Sequence, residues 1–268
     1  MAGRVTFDFE GESAIVTGST KGIGRGIAEA LVDAGANVVI NARTKTDVQE
    51  TADRLDARGD GTVVGITADL ADPADIERLV NRSVDSVGPL DLLVNNAAVW
   101  PNEETMLDAD LDDWDFSMDV NARAPFYCST LVANHMVDCG TSGAIINILS
   151  QAGDRRAGPH GLYGVSKTAG MGLTWRLAYD LASEGIRVNG VSTGITDSAQ
   201  LRSQIESGLD DLPESTVEER LDGLGEKVPI GRVGHPEEIA DAVLFLASDR
   251  AEYVVGSVLR VSGGYNLK

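Results

Sequence analysis

The 268-residue chain is short of lysine, cysteine, aromatic residues and long apolar runs. Only five lysines occur, Lys21, Lys45, Lys167, Lys227 and Lys268, and bases total 22 against 42 acids, a formal net charge of −20. A field of that sign repels phosphate backbones and anionic lipid, which argues against nucleic acid or a membrane surface as partner. Two cysteines, Cys128 and Cys139, give no disulfide framework and fit a reducing compartment. No apolar stretch approaches the ~20 residues that cross a bilayer, and Met1 to Glu12 lack a secretory-signal pattern. The expected location is the cytoplasm. His135, His160 and His235 share no metal-ligand spacing with one another or with the cysteines, so no metal is expected. Nucleophilic-serine chemistry is not expected either.

What the chain does contain is a glycine-marked turn near its start. Ala14-Ile15-Val16 reads as a short strand, and Thr17-Gly18-Ser19-Thr20-Lys21-Gly22-Ile23-Gly24 follows it. Ile23, Ile27, Ala30, Leu31 and Ala34 then recur at helical spacing until Gly35. Glycines let the backbone approach a ligand closely, and the first helical turn directs unpaired N–H groups at an anion. A second strand at Val38–Ile40 completes a β-α-β unit, the context in which such a turn holds a phosphate. A tight turn without a ligand is the competing reading.

Strands and helices alternate to the end of the chain. Further strand-like runs lie at Val63–Ile66, Leu92–Asn95, Ala144–Leu149, Arg187–Val191 and Ser257–Val261. One helix is N-capped by Asp72 with Pro73 at its first position, and carries Ile76, Leu79, Val80, Val84 and Val87 on one face. Another opens at Pro236 and carries Ile239, Val243, Leu244, Leu246 and Ala247. Repeated β-α units imply one α/β domain over residues 1–268, a doubly wound, seven-stranded parallel sheet with helices on both faces. The acidic segment Ser198–Glu226 belongs to no sheet unit. Lying beyond a strand's carboxyl end, it is expected to form a substrate lid over about 195–226.

Five features stand in a fixed order: Gly-x-x-x-Gly-x-Gly at Gly18, Gly22 and Gly24; Asn95-Asn96-Ala97-Ala98; Asn121; Ser150; and Tyr163-x-x-x-Lys167. The set resembles the short-chain dehydrogenase/reductase family from about Gly11 to Gly264. The resemblance implies a Rossmann-type fold and an oxidoreductase using a nicotinamide dinucleotide. Carried over residue by residue, the cofactor contacts are Gly18, Ser19, Thr20, Lys21, Gly22, Ile23, Gly24, Arg43, Asp69, Leu70, Asn95, Ala97, Tyr163, Lys167, Gly194, Thr196 and Ser198. It also implies a homotetramer joined through Ser257–Val261 and the tail to Lys268. Ala98, Thr193 and Ser262 depart from the family pattern, in place of glycine, proline and aspartate.

The acid that usually holds the ribose hydroxyls of NAD would fall at Ala42, and Arg43 follows it. A guanidinium binds a 2′-phosphate, and Lys21 beside a helix N-terminus is disfavoured unless an anion is present. NADP is therefore expected, with NAD the weaker alternative; two solvated bases are the competing reading. Tyr163 and Lys167 share a helical face. A tyrosine with pKa near ~10 becomes a usable base if a neighbouring ammonium and a positive nicotinamide lower that value. Tyr163 is the expected general acid/base, Lys167 binds ribose and tunes it, Ser150 holds the substrate oxygen, and Asn121 completes a proton relay through water. Substrate contacts are expected from Trp100, Ser150, Gln151, His160 and Tyr163. An aromatic face and a polar loop suit a sugar or polyol, with a 3-oxoacyl thioester as alternative and a non-catalytic NADP-binding regulator as a remote one. The spread of acid over a lysine-poor chain further suggests a protein adapted to high salt.

Overall fold

The computed structural model describes residues 5–100, 106–154, 161–208 and 216–267. Seven strands form one sheet: β1 (Ser13–Val16), β2 (Asn37–Ala42), β3 (Val63–Thr67), β4 (Leu92–Asn95), β5 (Gly143–Ser150), β6 (Ile186–Thr193) and β7 (Val258–Val261). Their order is β3-β2-β1-β4-β5-β6-β7, and every pairing is parallel. The strand order reverses between β1 and β4, and a crevice opens beyond the carboxyl ends there, where open α/β sheets bind their ligands.

Side chains alternate across each strand, so the sheet divides the core in two. Ala14, Val16, Val38, Ile40, Leu92 and Val94 face one cluster; Ile15, Val39 and Leu93 face the other. The first cluster is covered by α1 (Gly22–Asp33), α2 (Lys45–Asp56) and α10 (Pro236–Ala247), the second by α3 (Pro73–Val87), α5 (Ala124–Cys139) and α7 (Gly161–Leu181). The expected fold class is the observed one. Asp72 caps α3 by accepting from Ala74 N at 2.9 Å, with Pro73 at the first position as expected. α1 and α10 approach so closely that a Cβ on Gly26 would lie 2.9 Å from Pro236 Cβ.

The strands differ from expectation by a residue or two. Ser257, expected in the last strand, stays outside β7, because its N–H donates to the Asn189 side-chain carbonyl instead of the ladder. A further irregularity concerns Asn121. α4 (Leu111–Met118) runs into a π turn at Asp119–Arg123 before α5, and Asn121 sits on that widened turn, a deviation often found at functional sites. Beyond β6, the segment expected as a lid contains α8 (Ala199–Gly208) and α9 (Val217–Gly225), linked through Arg202, which pairs with both Asp197 and Glu218. The remaining short helix, α6 (Gln151–Asp154), follows β5 directly.

Candidate active site

The crevice is a cleft of about 250 Å³. Its walls include Gly18, Thr20, Lys21, Gly22, Ile23, Gly24, Arg43, Asp69, Leu70, Ala97, Tyr163, Lys167 and Ser198 from the expected set. One end is the turn into α1. Gly18 and Gly22 have φ of +62° and +58°, and a Cβ on Gly24 would lie 2.3 Å from Asn96 Nδ2 and 2.4 Å from the Gly18 carbonyl. α1 has no side-chain cap and no acid in its first turn, which leaves its leading N–H groups open to an anion. Lys21 and Arg43 stand exposed at this end, and neither has an ion-pair partner among the described residues despite the surplus of acid. A glycine cradle, bare helix N-terminus and two free cations fit a dinucleotide phosphate group.

At the other end β5 and α7 bring Ser150, Tyr163 and Lys167 together, all buried. The Tyr163 hydroxyl is hydrogen-bonded to Ser150, whose Oγ also accepts from Ala152 N at 3.1 Å. Lys167 Nζ lies 5.5 Å from the Tyr163 ring centroid and donates to the Ile148 carbonyl at 3.0 Å. Burial pushes the Tyr163 phenol up to about 12, the Ser150 hydrogen bond opposing it, and pushes Lys167 down to about 8. The sequence expectation was the opposite for the phenol. In the protein alone, loss of water around the ring outweighs the nearby amine, because both groups are disfavoured in their charged forms by the same low-dielectric surroundings.

Asn121 is fully committed through its side chain. Its Oδ1 accepts from Val99 N at 2.8 Å, and its Nδ2 donates to the Val99 carbonyl at 2.8 Å and to Ser166 Oγ at 3.0 Å. Ser166 in turn donates to the Tyr163 carbonyl at 2.8 Å. A separate small cavity, lined among others by Asn121, Ile148 and Lys167, has about the volume of one water.

Several expected contacts do not face the cleft. Ser19 is fully buried: its Oγ donates to the Val16 carbonyl at 2.7 Å and accepts from Asn41 N at 2.9 Å, pinning the turn to β2. Asn95 donates to Asn147 Oδ1 and Ser129 Oγ beneath the cleft floor. Gly194 lies against Ser262, where a Cβ would come within 2.7 Å, and Thr196 bridges to Gly234; both stitch the exit of β6 to its neighbours. Gln151 is buried behind Ser150, its Oε1 unpartnered. Trp100, expected to offer its face to a sugar, stacks that face on Tyr163, with centroids 4.5 Å apart and planes 6° from parallel. His160 lies outside the described residues.

The sequence reading overlooked Asn96, Ser166 and one serine motif. Asn96 Nδ2 donates to the Thr17 and Gly18 carbonyls and holds the glycine turn in shape. Its place inside the Asn95–Ala98 run was the available signal. Ser166 lies three residues after Tyr163 on the same helical face. Gly190-Val191-Ser192-Thr193-Gly194 does match a nucleophile-elbow spacing. Ser192, however, is buried inside β6 rather than exposed at a strand-to-helix turn.

A family profile described as enoyl-(acyl carrier protein) reductase matches residues 18–266. The chain is 36% identical over 256 residues to dehydrogenase/reductase SDR family member 4 of Caenorhabditis elegans, covering 96% of this chain and 95% of that protein. It is 34% identical over 261 residues to a 3-oxoacyl-(acyl-carrier-protein) reductase of Salmonella typhimurium, with 96% and 98% covered. The crystal structure of L-sorbose reductase from Gluconobacter frateurii, complexed with NADPH and L-sorbose, matches at a TM-score of 0.92 and 30% identity, over 97% of this chain and 98% of that one. With the strand order, the glycine turn and the Ser150–Tyr163–Lys167 cluster, these similarities lead to one conclusion: this protein belongs to the short-chain dehydrogenase/reductase family and is an oxidoreductase.

Proposed function

We propose that the protein moves hydride between NADP(H) and a secondary alcohol or ketone, or a cyclic hemiacetal, with a sugar or polyol as substrate. The observation that carries this reading is the cleft itself, with unpaired cations at one end and a buried proton donor at the other. The turn from Gly18 to Gly24 and the N-terminus of α1 hold the pyrophosphate, Arg43 and Lys21 meet the 2′-phosphate, and Asp69 and Leu70 border the adenine. NAD, lacking that phosphate, is the weaker cofactor. When bound, the dinucleotide supplies or accepts the hydride.

In reduction, Tyr163 gives its hydroxyl proton to the substrate oxygen while hydride reaches the carbonyl carbon; in oxidation it takes the alcohol proton back. Ser150 hydrogen-bonds the same oxygen and stabilises the charge developing there. Lys167 holds the ribose and lowers the cost of a phenolate. A water beside Lys167 and the π turn carries the replacement proton, with the Asn121 side chain holding the turn in place. α8 and α9 act as the lid, with Ser198 at the cleft wall.

The sugar reading is supported by the similarity to a reductase crystallised with NADPH and L-sorbose. A 3-oxoacyl thioester is the second reading, supported by the likeness to 3-oxoacyl reductases. The charge of −20 disfavours an anionic carrier. The protein is proposed as a cytoplasmic homotetramer adapted to salt, with β7 and the tail in the subunit contact. The test is a panel of ketoses, polyols and 3-oxoacyl thioesters, followed at the reduced-nicotinamide absorbance. Turnover with a ketose or polyol, lost by several orders of magnitude in Tyr163→Phe with dinucleotide still bound, is the expected result. Thioester-only turnover would select the second reading, and dinucleotide binding without turnover on any of them would point to a regulator.

A further inference from the structure

Trp100 occupies an unusual place. Its indole lies flat on Tyr163, 4.5 Å between centroids and 6° between planes. Tyr163 is part of the cleft wall, as is Val99, the residue before Trp100, and the indole covers one face of the phenol ring. Both partners of the stack hang on one hydrogen-bonded frame. Val99, the residue before Trp100, is clamped by two 2.8 Å bonds to Asn121. Asn121 donates to Ser166 at 3.0 Å, and Ser166 donates to the main chain of Tyr163 itself at 2.8 Å. The π turn that carries Asn121 thus fixes the loop after β4 and the helix α7 relative to each other. Parallel, close-packed rings held from both backbones are a rigid arrangement, and a rigid aromatic neighbour restricts both the ring's orientation and the water around it.

We propose that Trp100 is a positioning and specificity-determining residue: it fixes the ring of Tyr163 for proton transfer and closes one side of it, so that a ketone with a bulky group on that side is rejected. This rests on Tyr163 being the proton donor. A substrate must bring its oxygen to the Tyr163 hydroxyl and Ser150 together, and the volume on the Trp100 side is already taken. On this reading small hydroxylated ketones are accepted, and an aryl group next to the carbonyl on the indole side is excluded. Removing the indole is expected to admit water to the ring and so relieve part of the burial that drives the phenol upward.

The experiment compares Trp100→Ala and Trp100→Phe with the parent enzyme. Three quantities are read: kcat and KM for the small ketone found active in the panel; kcat/KM for its homologue with a phenyl group beside the carbonyl; and the tyrosinate absorbance titration of the dinucleotide-free protein, with Tyr163→Phe as blank. Trp100→Ala is expected to lower kcat for the small ketone roughly two- to tenfold, the worth of one aromatic stack. It should raise the phenyl-to-small selectivity ratio at least tenfold. The Tyr163 titration should move from about 12 back toward the ordinary value near 10. Trp100→Phe restores the parent titration and most of the kcat. An unchanged selectivity ratio and titration in Trp100→Ala, with only the melting temperature lowered, would overturn the proposal. If Trp100→Ala does not fold, Trp100→Phe alone decides through its selectivity ratio, which must lie above the parent's because the smaller ring leaves space. Full activity in Tyr163→Phe would instead defeat the proposed function, leaving the stack without catalytic meaning.

Discussion

The two ends of the cleft each hold one of the chain's five lysines, in opposite surroundings. Lys21 stands exposed beside an uncapped helix terminus, with no ion-pair partner among the described residues. Lys167 is buried, with the Ile148 carbonyl as its hydrogen-bond partner and burial depressing its proton affinity. The first cation is positioned to attract an anion and is screened by salt. The second sits where charge itself is costly, so it responds to small changes in its neighbours. The open end thus presents backbone N–H groups and exposed bases, and the closed end presents desolvated titratable groups.

The most severe way to break the open end is Gly24→Ala. The new Cβ would lie 2.3 Å from Asn96 Nδ2 and 2.4 Å from the Gly18 carbonyl. A side chain cannot swing away from a main-chain oxygen, so the turn must shift, at a cost of about 1–3 kcal/mol. Dinucleotide affinity, measured by fluorescence titration, should fall roughly five- to hundredfold while the Ser150–Tyr163–Lys167 end keeps its tyrosinate titration. Retained affinity would mean that the turn is not the phosphate cradle.

A milder change at the same end tests its charges. Replacing Ala42 by Asp and Arg43 by Gln should reverse the preference from NADP to NAD. A charge-assisted contact to the 2′-phosphate contributes about 1.5–3 kcal/mol, roughly ten- to hundredfold in kcat/KM. Equal efficiency with both cofactors in the parent would show that Arg43 and Lys21 serve only solvent.

The closed end is tested by Lys167→Met. The folded protein holds the Lys167 proton with a pKa of about 8, against an ordinary 10.5. Between those values the unfolded chain binds the extra proton, so this group makes stability rise with pH through that window. Below pH 8 the full penalty is present, on the order of 3 kcal/mol. The variant, inactive, should therefore melt several degrees higher than the parent at pH 7, and the gain should vanish as pH approaches 10.5. A lower melting temperature at pH 7 would mean that the bond to Ile148 outweighs the desolvation.

The smallest expected effect is general. Raising salt from 0.1 to 1 M shortens the Debye length from ~10 to ~3 Å, which should quiet self-repulsion of the −20 charge. The melting temperature should rise, and light scattering at 1 M should read four subunits. No rise would remove the salt adaptation, and a monomer would remove the proposed tetramer.

The open end was legible in the sequence because everything there is local. Strand, glycine turn and helix lie within about twenty consecutive residues, and the backbone angles at Gly18 and Gly22 are demands that only glycine meets cheaply. The cap at Asp72 and the short apolar runs of the strands were legible for the same reason. At the closed end only Tyr163 and Lys167 were local, four residues apart on one helix. The expected residues that do not line the cleft are those whose contacts are distant in sequence: Ser19 turned inward to β2, Asn95 tied to β5, and Gly194 packed on Ser262.

The sequence by itself determined the β-α alternation, the parallel sheet with helices on both faces, the phosphate-type turn and the residue types at the reaction end. These follow from backbone preference and short-range periodicity. Only the tertiary structure decided that Asn121 is spent as a clamp on a π turn, that Trp100 lies on Tyr163, and that burial drives the phenol up and the amine down rather than letting them stabilise each other's charges. The reason is physical: residue order sets which groups are near along the chain, but desolvation and ring stacking depend on what closes over a side chain from other elements, and that is fixed only once the whole sheet is covered.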